Sequence, residues 1–253
     1  MIFLKTALKP VDPNNFLDKY ADDTYLIVSS SNEHSLHAEL KSIESWAVKN
    51  NLKLNRKKSS EMIIFSNVKA SRPPPHIDLI PDIERVESIK ILGVLMNGNF
   101  SMNDHVSALC QSAAQSLYAI KLLKSHGLDA RCCQMVFKAI VISKLTYAAA
   151  AWWGFVNTSE KQRLQSVLNR SVKWGYYSTN DPAIEELVDS RANKLFYSIL
   201  NNPCHVLHHL LPPNNTHTHN LRPRAHNRQL PKKSTTVLSK TFIYRLLYST
   251  IIP

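Results

Sequence analysis

The residues best suited to chemistry lie near the start of the chain, in the tetrapeptide Tyr20-Ala21-Asp22-Asp23. Two ionised carboxylates side by side repel each other, and proteins keep such pairs mainly to hold a divalent cation or to raise the pKa of one acid. Oxygen ligands suit Mg²⁺, which takes one or two protein carboxylates and fills its other positions with water or substrate phosphates. The pattern therefore indicates a magnesium site at Asp22 and Asp23. The alternative is a solvated turn, because turns favour aspartate for backbone reasons alone.

Apolar residues flank the two acids and predict a hairpin that would hold them at its turn. Phe16-Leu17 precede the tetrapeptide and Tyr25-Leu26-Ile27-Val28 follow it, which is the pattern of strand, tight turn and strand over residues 16–30. A helix is predicted next, from a capping box at Ser30-x-x-Glu33 to Asn50-Asn51, because apolar residues recur there at helical spacing.

Short strands are predicted in the segment that follows this helix. The apolar runs Met62–Phe65, Ile77–Ile80 and Ile89–Met96 each have the length of a strand and are bounded by polar or proline-rich turns. The first 101 residues therefore form an α+β segment.

The remainder of the chain predicts a helical bundle and then a tail. Apolar residues recur at helical spacing from residue 102 to 201. Residues 202–253 are rich in Pro, Asn, His, Arg and Lys, which predicts irregular structure except for a helix or strand near Thr241–Ile252. The four predicted helices of the bundle begin near Ser101, Asp129, Ser159 and Pro182.

Charge is distributed unevenly along the chain. The formal net charge is +12, yet all 19 acidic residues lie at or before Asp189, and the segment from Ser190 to the end has nine Lys and Arg residues and no acid. A basic tail without acids attracts polyanions, of which nucleic acid is the usual one. The alternative is a solvated basic tail with no specific partner.

The composition argues against several other classes of protein. Only five glycines occur, and the spacing of Gly93 and Gly98 matches neither nucleotide-binding fingerprint. The four cysteines show no CxxC spacing, so we expect a reducing compartment, cytoplasmic or nuclear, and no disulfides. No unbroken apolar run reaches the roughly 18 residues of a membrane span, and the first ten residues do not resemble a signal peptide. Neither a membrane nor secretion is therefore expected.

Five motif-like blocks follow one another along roughly residues 17–230. They are Tyr20-Ala21-Asp22-Asp23-Thr24; Trp46-x3-Asn50-x-Leu52-x-Leu54-Asn55-x2-Lys58-Ser59; Ile89-Lys90-Ile91-Leu92-Gly93-Val94 with Phe100 and His105; Leu145-x-Tyr147 with Ala151-Trp152-Trp153-Gly154; and Asn220-Leu221-Arg222-Pro223-Arg224. In this order they resemble, respectively, the third and the next palm motif, the primer grip, the thumb and the tail of reverse transcriptases from non-LTR (LINE-type) retrotransposons of the jockey-like group.

The resemblance implies a fold and a domain organisation. Residues 1–101 would be a truncated polymerase palm, in which a β-hairpin is followed by a helix and short strands. Residues 102–201 would form an all-α, thumb-like bundle, and residues 202–253 an irregular basic tail. The implied partner is an RNA or DNA template–primer.

The resemblance also implies a reaction and the residues that carry it. The reaction is nucleotidyl transfer, in which two Mg²⁺ ions activate the primer 3′-hydroxyl and stabilise the leaving pyrophosphate. Asp22 and Asp23 would hold metal, with Asp22 the more direct ligand. Lys58 would protonate the pyrophosphate, or else is a solvated lysine of a turn. Leu92-Gly93-Val94 would place backbone against the primer end, because glycine permits close approach; the alternative is a strand glycine at a bulge.

Part of the family's catalytic centre is not recognisable in the sequence. The family takes a further aspartate from a Phe-x-Asp block on an earlier palm strand, whereas only 19 residues precede Tyr20 and their two acids, Asp12 and Asp18, lie in unsuitable contexts. The fingers, which hold the incoming nucleotide, are not recognised either. We therefore expect a C-terminal part of a polymerase, of marginal stability and inactive by itself unless a separate N-terminal polymerase segment completes it.

Basic residues of the bundle and the tail are the predicted contacts to nucleic acid. Such residues touch phosphates, so they position the ligand and carry no sequence information. Trp152-Trp153 and Tyr176-Tyr177 could stack on bases, but packing inside the bundle is the favoured interpretation. The predicted contacts are Lys173, Arg191, Arg222, Arg224, Arg228, Lys232 and Lys233.

Two functions from different classes remain open at this point. The first is a fragment of an RNA-directed DNA polymerase, and the second is a non-enzymatic nucleic-acid-binding protein that uses the thumb-like bundle and the tail. A zinc site beginning at Cys204-x3-His208 is a weaker candidate, because no second cysteine pair accompanies it and a loop is the favoured interpretation.

Overall fold

The computed structural model describes residues 8–65, 77–215 and 226–249 and confirms the α+β class. The chain divides into two compact units. The first contains the described residues of Met1–Glu61 together with Ile77–Arg85, and the second contains those of Met62–His76 and of Val86–Pro253. The three predicted segments, 1–101, 102–201 and 202–253, stay a prediction.

The first unit is built on the predicted hairpin, which is confirmed. Strands β1 (Phe16–Tyr20) and β2 (Asp23–Ile27) are antiparallel, with Tyr20 opposite Asp23 across a two-residue turn. Helix α1 (Leu36–Lys49) follows, and its buried face carries Ile43 and Ala47 as the apolar spacing predicts. Two short parallel strands, β3 (Ser60–Glu61) and β4 (Glu84–Arg85), complete the unit.

The ends of α1 differ in how well the sequence predicts them. The prediction that Ser30 and Glu33 form a capping box is wrong. These residues lie in a 3₁₀ turn, Ser30–Ser35, whose N-cap residue makes no side-chain hydrogen bond, and α1 begins after this turn. The predicted end at Asn50-Asn51 is confirmed. Asn51 has a positive φ of 56°, and the Leu52 N–H donates to the Ala47 carbonyl at 2.8 Å, which closes the last turn.

Two of the predicted strands do not form. No strand is present at Met62–Phe65 or at Ile77–Ile80. The carbonyl oxygens of Ile77 and Asp78 instead accept hydrogen bonds from the Arg85 guanidinium, each at 2.8 Å, so this backbone is satisfied by a side chain and pairs with no strand.

The second unit opens with a hairpin where a single strand was predicted. Strands β5 (Ser88–Ile91) and β6 (Val94–Asn97) are antiparallel, and Leu92 and Gly93 form the turn between them. Both turn residues have positive φ, 46° and 91°, which is the combination that a type I′ hairpin turn requires. The single strand predicted over residues 89–96 is therefore wrong.

The predicted helical segment is confirmed, and a helix begins within two residues of each of the four predicted starts. Its core contains Val106, Phe137, Leu145, Trp152 and Leu164, all at most 1 % exposed. The helices are α2 (Asn103–Ser125), α3 (Ala130–Phe137), α4 (Ser143–Leu145), α5 (Ala149–Trp152), α6 (Thr158–Lys173) and α7 (Ile184–Asn201).

The apolar run predicted as one helix is interrupted twice. A π-helical turn, Lys138–Ile142, joins α3 to α4, and Ala148 with a φ of 49° separates α4 from α5. Within the described residues, Ala130–Phe155 is the one helical run long and apolar enough to cross a membrane, judged by length and composition only. Helices in the core of soluble proteins pass the same test, and Phe137, Leu145 and Trp152 of this run lie in the core. The expectation of no membrane partner stays a prediction.

The helix or strand predicted near Thr241–Ile252 is confirmed as a helix, and a further short helix that was not predicted precedes it. Helices α8 (Thr236–Lys240) and α9 (Phe242–Leu247) form in the predicted tail, and α9 packs with α7 around a second apolar cluster that includes Phe196, Ile199 and Leu246. Gly154 permits the close approach of the end of α8, because a Cβ at Gly154 would overlap the Lys240 carbonyl. The tail is thus fastened to the bundle through close backbone contact.

Candidate functional site

The two acids lie at the exposed turn of the first hairpin. Asp22 is in the turn and Asp23 is the first residue of β2, and both side chains face solvent. The Asp22 carboxylate forms no hydrogen bond or ion pair with a described residue, and the Tyr25 hydroxyl lies 3.4 Å from Asp23 Oδ2. Ala21 has a φ of 54°, and the Lys19 ammonium donates to its carbonyl at 2.7 Å. The turn therefore presents two carboxylates on a backbone that a neighbouring lysine supports.

A buried polar network holds the chain just before β1 against α1. Asn15, the residue before β1, donates from its amide to Ser35 Oγ and to Glu39 Oε1, each at 2.8 Å. The Asn32 amide donates to Asn15 Oδ1 at 2.9 Å. Such a network, when every member is satisfied, fixes one arrangement of the backbone. It therefore determines where the hairpin begins.

Glu39 is the charged centre of this network and is fully buried. Its carboxylate also accepts from the backbone N–H groups of Val11 and Asp12, each at 2.9 Å. Burial by itself would raise the pKa of Glu39, but the hydrogen bonds from Asp12, Val11 and Asn15 outweigh it and hold the pKa below its ordinary value.

Sequence reasoning missed the network, although one signal was present. Glu39 lies four residues before Ile43 and eight before Ala47, so it shares the buried face of α1 with them. A glutamate at an apolar position of a helix needs hydrogen-bond partners, because an unpaired buried charge is costly.

The donor set at the turn suits one Mg²⁺ ion, which accepts one or two protein carboxylates. A second ion requires another acidic residue. Within residues 8–65, 77–215 and 226–249, no group of three or more His, Cys, Asp or Glu side chains could hold a metal ion. Asp22 and Asp23 thus supply carboxylates for one such ion and have no third carboxylate beside them among the described residues.

Lys58 lies at the end of a short 3₁₀ turn, Arg56–Lys58. Its side chain is exposed and makes no hydrogen bond or ion pair with a described residue. The turn itself is anchored by Arg56, whose guanidinium donates to Glu44 Oε1 at 2.8 Å and to the Pro81 carbonyl at 3.0 Å. The lysine is therefore free to reach a ligand from a fixed turn, and its catalytic role stays a prediction.

The second hairpin turn brings together two blocks that are 50 residues apart in sequence. The Tyr147 hydroxyl donates to the Leu92 carbonyl at 3.0 Å, and a Cβ added at Gly93 would lie 3.1 Å from Tyr147 Cε1. Gly93 is therefore required by close approach as well as by its positive φ. The alternative interpretation of Gly93 as a strand glycine at a β-bulge is wrong, because Leu92 and Gly93 form a two-residue turn. Val94 is the first residue of β6 and packs against the core.

His105 connects the second hairpin to the bundle. Its Nδ1 accepts from the Leu95 N–H at 3.3 Å, and its ring meets Trp152 edge-on with the centroids 4.9 Å apart. The Trp152 indole N–H in turn donates to the Tyr147 carbonyl at 3.0 Å. Burial lowers the pKa of His105, so the imidazole is neutral at physiological pH. His105 thus supports the second hairpin by linking its backbone at Leu95 to Trp152 in the core.

The aromatic pairs are core residues. Trp152, Trp153, Tyr176 and Tyr177 are all buried, which confirms packing as their role and removes them as exposed stacking platforms.

The predicted basic contacts are dispersed. Lys173 and Arg191 are exposed on α6 and α7. Arg228 donates to the Pro212 carbonyl at 3.2 Å, so it supports the fold of the tail. Lys232 is exposed, and the Lys233 ammonium lies 3.8 Å from the centre of the Tyr248 ring. Arg222 and Arg224 lie outside the described residues.

The Cys204 and His208 pair shows no sign of a zinc site among the described residues. Cys204 is exposed and free, whereas His208 Nδ1 is 2.7 Å from the Ile199 carbonyl and is occupied by the fold. All four cysteines are free thiols, and the predicted reducing compartment stays a prediction.

Comparison with known proteins identifies the class of the segment that carries the acids. Residues 1–96 match the family model of the reverse transcriptases, that is, RNA-dependent DNA polymerases. No curated protein and no solved structure matches the chain. The first hairpin, α1 and most of the second hairpin thus lie in a reverse-transcriptase-like sequence. Members of that family bind a template–primer and depend on divalent metal ions.

Proposed function

We propose that this chain is part of the reverse transcriptase of a non-LTR retrotransposon, of the jockey-like group. Residues 1–101 contribute to the palm, residues 102–201 form the thumb and residues 202–253 form a basic tail. The observation that carries the proposal is the pair Asp22-Asp23 at the turn of an antiparallel hairpin, inside the segment that matches the reverse transcriptase family. That match favours polymerase ancestry over a binding protein of other origin.

The proposed reaction is nucleotidyl transfer, with named residues in separate roles. Asp22 and Asp23 hold Mg²⁺, and Lys58 gives a proton to the leaving pyrophosphate. When bound, the metal activates the primer 3′-hydroxyl and neutralises charge on the pyrophosphate. The turn at Leu92-Gly93, with Val94, places backbone against the primer end, and Tyr147 keeps that turn in place through its hydrogen bond.

We further propose that these 253 residues alone do not extend a primer and require another polymerase segment. Two observations support this. The acids have no third carboxylate near them among the described residues. The outer face of the hairpin is also open, with Phe16, Tyr20 and Ile27 being 58 %, 63 % and 54 % exposed. A two-stranded hairpin is marginal by itself, and an apolar face of this kind suits packing against a further palm strand.

The proposed partner is therefore an RNA or DNA template–primer, together with an N-terminal polymerase segment. The proposed location is inside the cell, in the cytoplasm or the nucleus, with no membrane partner. Four free thiols are compatible with this location.

Primer extension tests the activity proposal. The full chain is incubated with a homopolymer RNA template, a DNA primer and Mg²⁺ or Mn²⁺, and compared with Asp22→Ala. We expect no extension from either protein, because two carboxylates cannot assemble a two-metal site. Robust extension that Asp22→Ala abolishes would overturn the claim that the chain is inactive alone.

Metal binding tests the role of the acids independently of turnover. Mn²⁺ titration followed by electron paramagnetic resonance should detect one weak site, with a dissociation constant on the order of 1 mM, as for loosely built carboxylate sites. Asp22→Asn combined with Asp23→Asn should remove it. Asp104→Asn changes an exposed acid on α2 and serves as the control. If the double variant binds Mn²⁺ as the wild type does, the acids are an ordinary turn.

A further inference from the structure

Two neighbouring helices of the bundle are almost free of acidic residues. Between residues 105 and 180 the chain has nine Lys and Arg residues and only two acids, Asp129 and Glu160. Glu160 is buried in the capping box of α6, where it accepts from the Asn157 N–H at 2.8 Å. Lys138 and Lys161 pair with Asp181 and Glu185 at 3.1 Å and 2.6 Å. The other basic residues of this region, Arg163 and Arg170 among them, form no ion pair with an acid of the described residues, and they lie outside the basic tail.

A groove runs between α2 and α6 within this region. It encloses about 540 Å³ of space open to solvent. Small or apolar residues form its floor, and Arg163 and Arg170 of α6 stand along it. The lining residues are Cys110, Ala114, Leu117, Arg163, Ser166, Val167 and Arg170.

Neither arginine is paired with an acid of the described residues. The Arg163 guanidinium donates to Asn103 Oδ1 at 3.0 Å and to Ser107 Oγ at 2.8 Å, so neutral groups fix its position. Arg170 is exposed and has no acidic partner among the described residues. Both arginines line the groove together with Cys110. Burial raises the pKa of the Cys110 thiol, and the charges of Arg163 and Arg170 oppose that rise.

The spacing of the arginines suits a chain of phosphates. They are seven residues apart on one helix, which is roughly 10 Å along its axis. Successive phosphates of one strand advance about 3.4 Å along a duplex axis, so the groove spans about three nucleotides. Arginine also binds phosphate through two parallel hydrogen bonds, which strengthens such contacts.

We propose that the groove between α2 and α6 binds the phosphate backbone of a nucleic acid strand through Arg163 and Arg170. This rests on the proposed function for the identity of the partner, since it is that function which supplies nucleic acid. The contacts are to phosphates, so the groove binds without sequence preference and in a salt-dependent manner.

Fluorescence anisotropy across a salt series tests the groove. The full chain is titrated with a labelled RNA–DNA duplex, alongside Arg163→Gln, Arg170→Gln and the double variant. Arg131→Gln on α3 removes the same charge from an exposed position and is the matched control, and Lys232→Gln with Lys233→Gln tests the tail. Each groove substitution should weaken binding about eightfold at 0.1 M salt, and the double variant should lower the salt slope by about 1.8, since each phosphate contact contributes about 0.9.

The rate of cysteine alkylation provides a second readout. Duplex binding would not change this rate at Cys110 if the two arginines had a purely structural role. Cys110 lines the groove and Cys204 is exposed in the tail segment, so one protein contains both the probe and its control. The bound duplex should slow the reaction of Cys110 with a maleimide at least severalfold and leave Cys204 unchanged, as measured by peptide mass spectrometry.

The outcomes separate the groove from the proposed function. If the wild-type chain binds no duplex at any salt, nucleic acid is not its partner and the proposed function loses its support. If the wild type binds but the double variant matches Arg131→Gln, or Cys110 is not protected, the groove is not the site. Binding of an acidic peptide with higher affinity than the duplex would likewise overturn the proposal. Circular dichroism melting curves confirm that each variant is folded.

Discussion

At the scale of single residues, the two hairpin turns share an uncommon backbone. Ala21 and Leu92 both adopt positive φ, 54° and 46°, which costs a residue with a Cβ roughly 1–2 kcal/mol. Such conformations persist where the surroundings determine them strongly, often at functional sites. Here the supports are visible: the Lys19 ammonium holds the Ala21 carbonyl, and the Tyr147 hydroxyl holds the Leu92 carbonyl.

Gly93→Ala should destabilise the second unit more than an alanine substitution at a glycine where the added methyl group would have no close neighbour. The added methyl group would be strained by the positive φ and would press on Tyr147 at 3.1 Å. We expect a loss of about 2–3 kcal/mol in the free energy of unfolding. Gly127→Ala is the matched control, because its φ is 96° and nothing lies within 4 Å, so it should lose only about 1 kcal/mol. Equal losses in urea unfolding would show that the Tyr147 contact is unimportant.

Glu39 should make the stability of the first unit depend on acid pH. Burial opposes its ionisation, yet its hydrogen bonds lower the pKa below the ordinary 4.5. A carboxylate whose pKa is depressed in the folded state stabilises the fold at pH values above its ordinary pKa. This stabilisation is lost as the pH falls through the lower pKa of the folded state. Urea unfolding between pH 3 and 7 should therefore show stability falling below about pH 4.5.

Glu39→Gln supplies the control for that pH dependence. The amide cannot ionise, so the variant should be less stable at pH 7 and should show a flatter profile towards pH 3. A shallow slope should remain from Asp12, whose pKa is lowered chiefly by a hydrogen bond from the Asn14 backbone. An unchanged slope would show that Glu39 does not determine the acid sensitivity.

At the scale of elements, the sequence predicts what depends on local periodicity. The apolar face of α2, with Val106, Ala113, Leu117 and Ile120 buried, follows directly from its spacing. The turn at Leu92-Gly93 could not be predicted in this way. It lacks the Asn-Gly type of signal, and the contact that stabilises it comes from Tyr147, 55 residues later.

The same distinction applies to the candidate sites. The hairpin that carries Asp22 and Asp23 was predictable because the acids and their flanking strands form one local pattern, whereas the metal-binding role of the two acids stays a prediction. Arg163 and Arg170 were missed because they line a groove only when α2 and α6 pack together. Their spacing of seven residues, on a helix whose one acid is Glu160 in the first turn, was the available signal.

Gly154→Ala should loosen the end of the tail from the bundle. A Cβ there would overlap the Lys240 carbonyl at the end of α8, and backbone cannot move aside as easily as a flexible side chain. We expect faster hydrogen exchange in peptides that cover α8 and α9, with α2 unchanged. Gly175→Ala has open space around its Cβ and is the control. Unchanged protection of α9 would indicate that the helix is held by its apolar contacts to α7 alone.

At the scale of the whole molecule, the two units have cores of very different size. Among the described residues, the buried apolar side chains of the first unit are Ile43, Ala47 and Ile80. The second unit buries most of the rest, including Trp152, Trp153 and Phe137. Since burial of apolar surface is the main stabilising term, we expect the first unit, which carries Asp22 and Asp23, to be the less stable one.

The two units should therefore unfold separately. In increasing urea, limited proteolysis should first remove peptides from residues 8–61, while peptides from residues 103–201 persist to about 1 M or more higher urea, because the larger core must be exposed before cleavage. Circular dichroism should show two transitions for the same reason. Val106→Ala should lower only the later transition, since Val106 is fully buried in the larger core. A single transition, with all peptides lost together, would contradict this prediction and show that the first unit is more stable than its own small core allows.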